Sequence, residues 1–248
     1  MKILILSPHR GDAAFSLSLA LLQWLKAGHA VTILNCFSRS LHAPFSDAEF
    51  THPNDRLSYV SAMRKREDEA FLRQLSPTQS NKLKMIDLNL KDAPIRLQCT
   101  ADESFERPVN PEDPAIAKIH KGITRLREES SIDALVLPLG LGNHVDHRTV
   151  RDAALAFAAE LPSAFYEDLP DATRPGHAAE DLAAQLSEPL SPVIVTAPAA
   201  VATKRKLISK YVSQIDDEIL EAISTFATPY NGGERFWANQ AWLNATSS

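Results

Sequence analysis

Two short polar clusters, far apart in the chain, hold the residue types of a single metal site. The first, Ser7-Pro8-His9-Arg10-Gly11-Asp12, directly follows the apolar run Ile3-Leu4-Ile5-Leu6. The second, His144-Val145-Asp146-His147, comes shortly after the apolar run Ala134-Leu135-Val136-Leu137. Imidazoles and a carboxylate at the ends of two buried strands suit zinc, which takes nitrogen and oxygen ligands and leaves one position open when it is catalytic. His9 and Asp12 share one loop and can turn toward a common ion, and His147, at the entrance of the next helix, can supply a third ligand. With three protein ligands and a water, bound zinc lowers the pKa of that water toward ~7. Taken singly, each residue has a plainer reading. His9 serves as a loop hydrogen bonder, Asp12 as a helix N-cap, and His-Val-Asp-His as a solvated loop. The pairing of two such clusters, each beyond a strand, favours the metal.

The elements that must position these clusters alternate between strand and helix. A continuously apolar strand from Lys2 to Leu6, covered on both faces, is followed by a helix from Ala13 to Ala27 that Gly28 ends. Phe15, Leu19, Leu22 and Leu25 recur on that helix at helical spacing. Val31 to Leu34 gives a second strand, and the β-α-β unit so formed has a right-handed crossover. Residues 38–56 form a long loop, of the kind that usually carries function. A charged helix from Asp55 to Leu75, a strand from Lys84 to Leu90, an irregular proline-bearing stretch over 91–114 and a helix from Ala115 to Glu129 follow. The strand Asp133 to Leu137 then leads to the second cluster and to a helix from Thr149 to Leu161. Ala164 to Glu167 reads as a short strand, 171–192 as a flap, Val193 to Val195 as the last strand, and Val201 to Phe226 as a helix that closes the fold. With no repeat, low-complexity tract or composition boundary, residues 1–248 are expected to form one Rossmann-like α/β domain with a mostly parallel sheet flanked by helices. Ligands of such sheets sit beyond the carboxyl ends of the strands, where both clusters fall.

Bulk composition narrows the function classes. At 248 residues, 44% hydrophobic and 23% charged, the chain has material for a real core. A formal net charge of -5 gives no electrostatic reason to expect nucleic acid or an anionic membrane as partner. No apolar stretch approaches the ~20 residues of a membrane span, and the N-terminus reads as a strand, too short for a signal peptide. The two cysteines, Cys36 and Cys99, lack CxxC spacing, which argues against a disulfide framework and for a reducing cytoplasm.

The sequence resembles the LmbE-like zinc deacetylases, which include the N-acetylglucosaminyl-phosphatidylinositol de-N-acetylases and the deacetylases of mycothiol and bacillithiol synthesis. Pro8-His9-Arg10-Gly11-Asp12 is similar to the family's Pro-His-x-Asp-Asp, and His144-Val145-Asp146-His147 matches its His-x-Asp-His. Weaker likenesses run in order through Leu25 to Thr32, Arg64 to Glu69, Tyr166 to Pro170 and Lys204 to Gln214. The resemblance implies a zinc-dependent hydrolase that removes an N-acetyl group from a small-molecule amino sugar or its conjugate. Zn2+ would be held by His9, Asp12 and His147. His144, oriented by Asp146, would stabilise the oxyanion or protonate the leaving amine. Arg66 and Arg10 are candidate substrate contacts, Arg66 alternatively pairing with an acid on its helix, while Arg64 reads as solvated.

One residue departs from that pattern. The family's first motif aspartate, its general base, is replaced by Gly11, and general acid–base help is typically worth ~10²–10⁴-fold in rate. Another group, such as His144, Asp47 or a substrate group, could serve as base; the chain could be a zinc-binding pseudoenzyme that binds a sugar; or Gly11 could be engineered. If Gly11 is the only defect, an aspartate restored there is expected to raise turnover. Phe15 and the serines Ser16 and Ser18, where the family often has glycine, are expected to narrow the pocket. A nucleotide-sugar-binding Rossmann protein is the reading from another class. The first loop has only Gly11, no G-x-G-x-x-G and no P-loop follow, and no G-x-S-x-G elbow supports a serine hydrolase.

Overall fold

The apolar runs that precede the two clusters become neighbouring strands. In the computed structural model, which describes residues 1–46, 48–49, 52–75 and 82–246, β1 (Lys2–Ser7) lies between β2 (Ala30–Asn35) and β4 (Ala134–Pro138). Ile3 pairs with Val31 on one side and Ala134 on the other. Outside them run β3 (Leu83–Asp87) and β5 (Ser163–Tyr166), all parallel. Every residue of β4, and all of β1 but Lys2, is buried, as continuous apolar runs require when helices cover both faces. Next to β5 the direction reverses: β7 (Glu234–Ala238) and then β6 (Ser191–Val195) pair antiparallel. The result is a single α/β domain whose seven-stranded, mostly parallel sheet has the order β3-β2-β1-β4-β5-β7-β6.

Helices fill the crossovers. α1 (Asp12–Lys26) follows β1, α2 (Pro53–Leu75) follows β2, α4 (Pro114–Ser130) precedes β4, and α5 (Val145–Ala158) follows it, with the short α3 (Ala93–Arg96) between β3 and α4. α4 starts where its sequence says it should. Asp113 accepts the Ala115 N–H at 2.9 Å, Pro114 occupies the first turn, and Ile119, Ile123 and Leu126 bury one face. Among the described residues no helix is long and apolar enough to cross a membrane.

Several boundaries differ from the sequence reading. The helix after the second cluster begins at Val145, with His144 as its N-cap, rather than at Thr149. The stretch 91–114 contains α3 and a 3₁₀ turn, Glu103–Phe105. The expected flap contains a 3₁₀ turn, Asp171–Thr173, then α6 (Ala179–Ala184) and the start of β6. The closing helix is two, α7 (Ala200–Ile208) and α8 (Asp217–Phe226), because the chain between them turns inward to meet a buried acid. Glu67 on α2 accepts from the Ser213 N–H and hydroxyl at 2.8 Å and from Gln214 at 3.0 Å. Nor does the fold close at Phe226: β7 and α9 (Gln240–Thr246) follow.

Candidate functional site

Three ligand-type atoms converge beyond the carboxyl ends of β1 and β4. Asp12 Oδ2 lies 3.3 Å from His9 Nδ1 and 3.2 Å from His147 Nε2. The three side chains form a group whose ligand atoms all lie within 4.8 Å of one another. Each imidazole is fixed from behind by a buried carboxylate. The far nitrogen of His9, Nε2, donates to Asp146 Oδ2 at 2.8 Å, and that of His147, Nδ1, donates to Asp168 Oδ1 at 2.7 Å. Those bonds fix the tautomers of the neutral rings, in which Nδ1 of His9 and Nε2 of His147 turn lone pairs toward Asp12, the arrangement usual for histidine metal ligands. Once the facing nitrogens give up their protons, two imidazole nitrogens and a carboxylate oxygen so placed fit a divalent cation such as zinc. A second grouping, His9, His144 and Asp146, also brings ligand atoms within 4.8 Å of one another, but the Asp146 oxygens and His144 Nδ1 are already engaged in hydrogen bonds.

The charges respond to this crowding. Burial disfavours the His9 imidazolium, but Asp12 and Asp146 outweigh it and raise its pKa to about 9. His147 moves well above its ordinary value for the same reason, with burial overcome by Asp12 and Asp168. Asp12 itself is held well below the carboxylate range by the two imidazoles, although burial pulls the other way. His144 goes in the opposite direction: burial and the neighbouring His9 push it well below the ordinary value, so it is neutral.

Local structure explains each side chain's aim. Ser7 Oγ donates to the His9 carbonyl at 2.6 Å and accepts the Ala13 N–H at 3.2 Å, while Asp12 accepts the His9 N–H at 2.7 Å, so the loop closes on itself. Gly11 precedes α1 at φ 99°, a conformation costly to a side chain. A Cβ there would stand 2.8 Å from Cε2 of Phe15. The ring thus fills the space that a side chain at position 11 would need.

Asp146 does not orient His144 through its carboxylate, contrary to the sequence expectation. Its oxygens are taken by His9, by the Ala93 N–H at 2.8 Å and by Arg96 at 2.8 Å, leaving its backbone N–H to bond His144 Nδ1 at 3.1 Å. His144 Nε2–H then donates to Ser104 Oγ at 3.1 Å. Asp146 is therefore a partner of His9.

The arginines also exchange roles. Arg10, expected at the substrate, turns its guanidinium away into a buried acidic pair, Asp68 at 2.8 Å and Asp87 at 2.5 Å. A cation so close in sequence to the ligands escapes repulsion in this way. Arg66, the other expected contact, is exposed on α2 and does not line the site, because the helical period turns it away from the buried face that holds Arg64, Glu67 and Asp68. Arg64, expected to be solvated, is buried. It donates to the Arg10 carbonyl at 2.7 Å, lines the cavity, and leaves its Nε–H without a hydrogen-bond partner among the described residues. Asp47 lies outside the described residues.

A cavity of about 440 Å³ opens over the triad. Its polar wall includes His42, Arg64, Asp92, His144 and Asp171, and its apolar wall Pro44, Phe45, Pro94, Phe105 and Ile219. His42 is lowered to about 4 by burial and by Arg64, and Asp171 is raised to about 6 by burial. Motif reading missed Asp168, Asp92 and Asp171 as site residues. For Asp168 and Asp171 the sequence signals were the family-like stretch Tyr166 to Pro170 and its place directly beyond the end of β5, again where ligands of parallel sheets bind.

Comparison with known proteins identifies the family and the fold. The family model described as GlcNAc-PI de-N-acetylase, PIG-L, matches residues 4–158. Among curated protein sequences none matches. Among solved structures, the zinc-inhibited form of a teicoplanin deacetylase superposes with a TM-score of 0.72 at 21% identity, covering 96% of this chain and 97% of that one. A deacetylase of the A40926 pseudoaglycone gives 0.69 at 22%, covering 97% and 98%. N,N'-diacetylchitobiose deacetylase from Pyrococcus horikoshii gives 0.63 at 18%, covering 98% and 84%. At these identities the likeness establishes a shared fold.

Proposed function

The chain belongs to the GlcNAc-PI de-N-acetylase family, and from that premise we propose that it is a zinc-dependent hydrolase that removes an N-acetyl group from an amino sugar or its conjugate. One observation carries the reading: His9 Nδ1, Asp12 Oδ2 and His147 Nε2 face one another with both ring tautomers fixed from behind by carboxylates. His9, Asp12 and His147 would hold the zinc, which when bound polarises a carbonyl and makes water more nucleophilic. That similar solved structures include a teicoplanin deacetylase and an N,N'-diacetylchitobiose deacetylase supports the substrate class.

The chain's own residues supply the rest. Asp146 and Asp168 keep the two ligand imidazoles in the lone-pair-forward tautomer. His144, neutral and carrying its proton on Nε2, is the group on the cavity wall that can donate to the substrate carbonyl oxygen as negative charge develops there. Arg64 replaces Arg66 and Arg10 as the cation that lines the cavity. The apolar wall of Pro44, Phe45 and Phe105 suits a sugar face or an acyl chain. Free Cys36 and Cys99 accord with action in a reducing cytoplasm.

The test is the metal content of protein purified without added metal, with acetate release from N-acetylglucosaminides. One zinc per chain and measurable turnover are expected. His147→Ala should abolish both, and zinc retained in that variant would overturn the ligand assignment. A second reading, a zinc protein that binds the sugar without hydrolysing it, is favoured by the Phe15 ring standing where the missing base would be. Zinc and sugar binding without acetate release would decide for it.

A further inference from the structure

Gly11 leaves the family's base position empty of function, and the Phe15 ring bars a side chain from it. The cavity is lined by another carboxylate. Resting on the hydrolase reading above, we propose that Asp171 is the catalytic residue that takes the proton of the attacking water.

Elimination narrows the choice. Asp12 is committed to the two ligand imidazoles and to the His9 N–H. Asp146 is committed to His9, Ala93 and Arg96. Asp168 is committed to His147 and to the N–H groups of Gly140 and Leu141, at 2.8 and 2.9 Å. Asp102, at the rim, is almost wholly exposed and faces Arg174. Asp92 is buried and bonded by Ser40, and although its Oδ1 has no hydrogen-bond partner among the described residues, it makes no ion pair there with a ligand histidine. Only the Asp171 carboxylate stands in front of a ligand nitrogen without a hydrogen-bond donor of its own among the described residues. Its Oδ2 is 3.7 Å from His147 Nε2. That is too far for a hydrogen bond, so the carboxylate oxygen faces the ligand nitrogen unbonded.

The backbone holds Asp171 firmly. It opens the 3₁₀ turn that follows Asp168, with the Ala172 N–H bonded to the Asp168 carbonyl at 2.8 Å and the Arg174 N–H bonded to its own at 3.0 Å. Gly142 packs directly on it: a Cβ at Gly142 would meet the Asp171 carbonyl carbon at 2.6 Å. One turn therefore sets Asp168 behind His147, at Nδ1, and Asp171 before it, at Nε2. A carboxylate placed in this way meets the geometric condition for a general base, reach to the proton of the attacking oxygen.

The step balances. Water transfers one proton to Asp171 Oδ2 as its oxygen bonds the acyl carbon. The proton then passes from the Asp171 carboxyl to the amide nitrogen as the C–N bond breaks. An amide and a water give a carboxylic acid and an amine, and Asp171 returns to its carboxylate form.

Two measurements test this. The crystal structure of the zinc-loaded protein should place a water within about 2.6–3.2 Å of an Asp171 oxygen, with that oxygen not bonded to zinc. A zinc–Asp171 bond, or a carboxylate turned out of the cavity, would overturn the assignment whether or not the right substrate is in hand. Asp171→Asn, which keeps size and removes the proton acceptor, should lower kcat by about 10²–10⁴-fold with KM and zinc content unchanged. Unchanged kcat would sink the proposal, and loss of zinc would make Asp171 a ligand instead. Wild-type protein that binds zinc yet hydrolyses no N-acetyl amino sugar would count against the hydrolase reading alone, since the water–Asp171 contact is read without turnover.

Discussion

The parallel part of the sheet and its antiparallel edge contribute to the site in different ways. The loops beyond β1 and β4 provide His9, Asp12, His144 and His147, all inside the stretch 4–158 that matches the family. The edge formed by β7 and β6 provides no ligand, but it braces the helix that the first loop leads into. α1 leaves helical geometry at Leu17, with φ -129° and ψ 19°. Glu234, the first residue of β7, accepts the freed Leu19 and Ala20 N–H groups at 3.0 Å and is neutralised by Lys204 at 3.0 Å. Motif-bearing loops thus carry the chemistry, while a distant, motif-free segment holds their geometry. The comparison teaches that the family's sequence signature and the stability of its site reside in different stretches of chain.

Disrupting the brace should have the largest effect on folding. Glu234→Ala would leave a buried lysine and two N–H groups without partners, and losing one member of such a pair costs about 3–5 kcal/mol. Urea denaturation should show that loss, whereas Arg127→Ala, which breaks an ion pair with exposed Glu160 at 2.9 Å, should cost no more than about 1 kcal/mol. Equal losses in the two variants would mean that the antiparallel edge is not a brace at all.

A change on the ligand side should be smaller and should also correct an expectation. Restoring an aspartate at position 11 looks from the sequence like a repair. At φ 99°, with the Phe15 ring against the new Cβ, Gly11→Asp should instead destabilise by about 1–3 kcal/mol through backbone strain and give no gain in turnover. Adding Phe15→Ala should relieve the clash. Faster acetate release by the single variant would show that the ring yields and that the base can work from its ancestral place.

These outcomes mirror what the sequence made legible. β1 and β4 announced themselves as unbroken apolar runs, and His9, Asp12 and His147, singled out by type and strand-end position, are brought together by the fold. The roles of Arg10, Arg64 and Arg66 could not be read, since a residue's direction on α2 or in a self-closing loop depends on which carboxylate waits for it. Asp146 was assigned to the wrong histidine for the same reason: its neighbours Ala93 and Arg96 come from a stretch that looked irregular. β7 and the break between α7 and α8 escaped because a short strand and a turn drawn in by Glu67 leave little periodicity. Asp171 was hidden because a catalytic carboxylate outside a motif is one aspartate among many.

The least perturbing measurement bears on the ligand loops themselves. His144 and His147 sit three positions apart, yet burial leaves the first neutral while carboxylates hold the second protonated. In the metal-free protein the His9 imidazolium persists up to about pH 9. A raised imidazole pKa stabilises the metal-free fold fully below the ordinary 6.5, and that contribution fades as pH rises through about 9. Zinc requires neutral imidazoles, so it competes with those protons. Binding near pH 7 should therefore release protons from His9 and His147, and affinity should climb between pH 6.5 and about 9. Calorimetry in two buffers of different ionisation enthalpy reads the release directly. Zinc uptake without it would mean that Asp12 does not face charged imidazoles in the empty site, and the difference drawn between His144 and His147 would collapse.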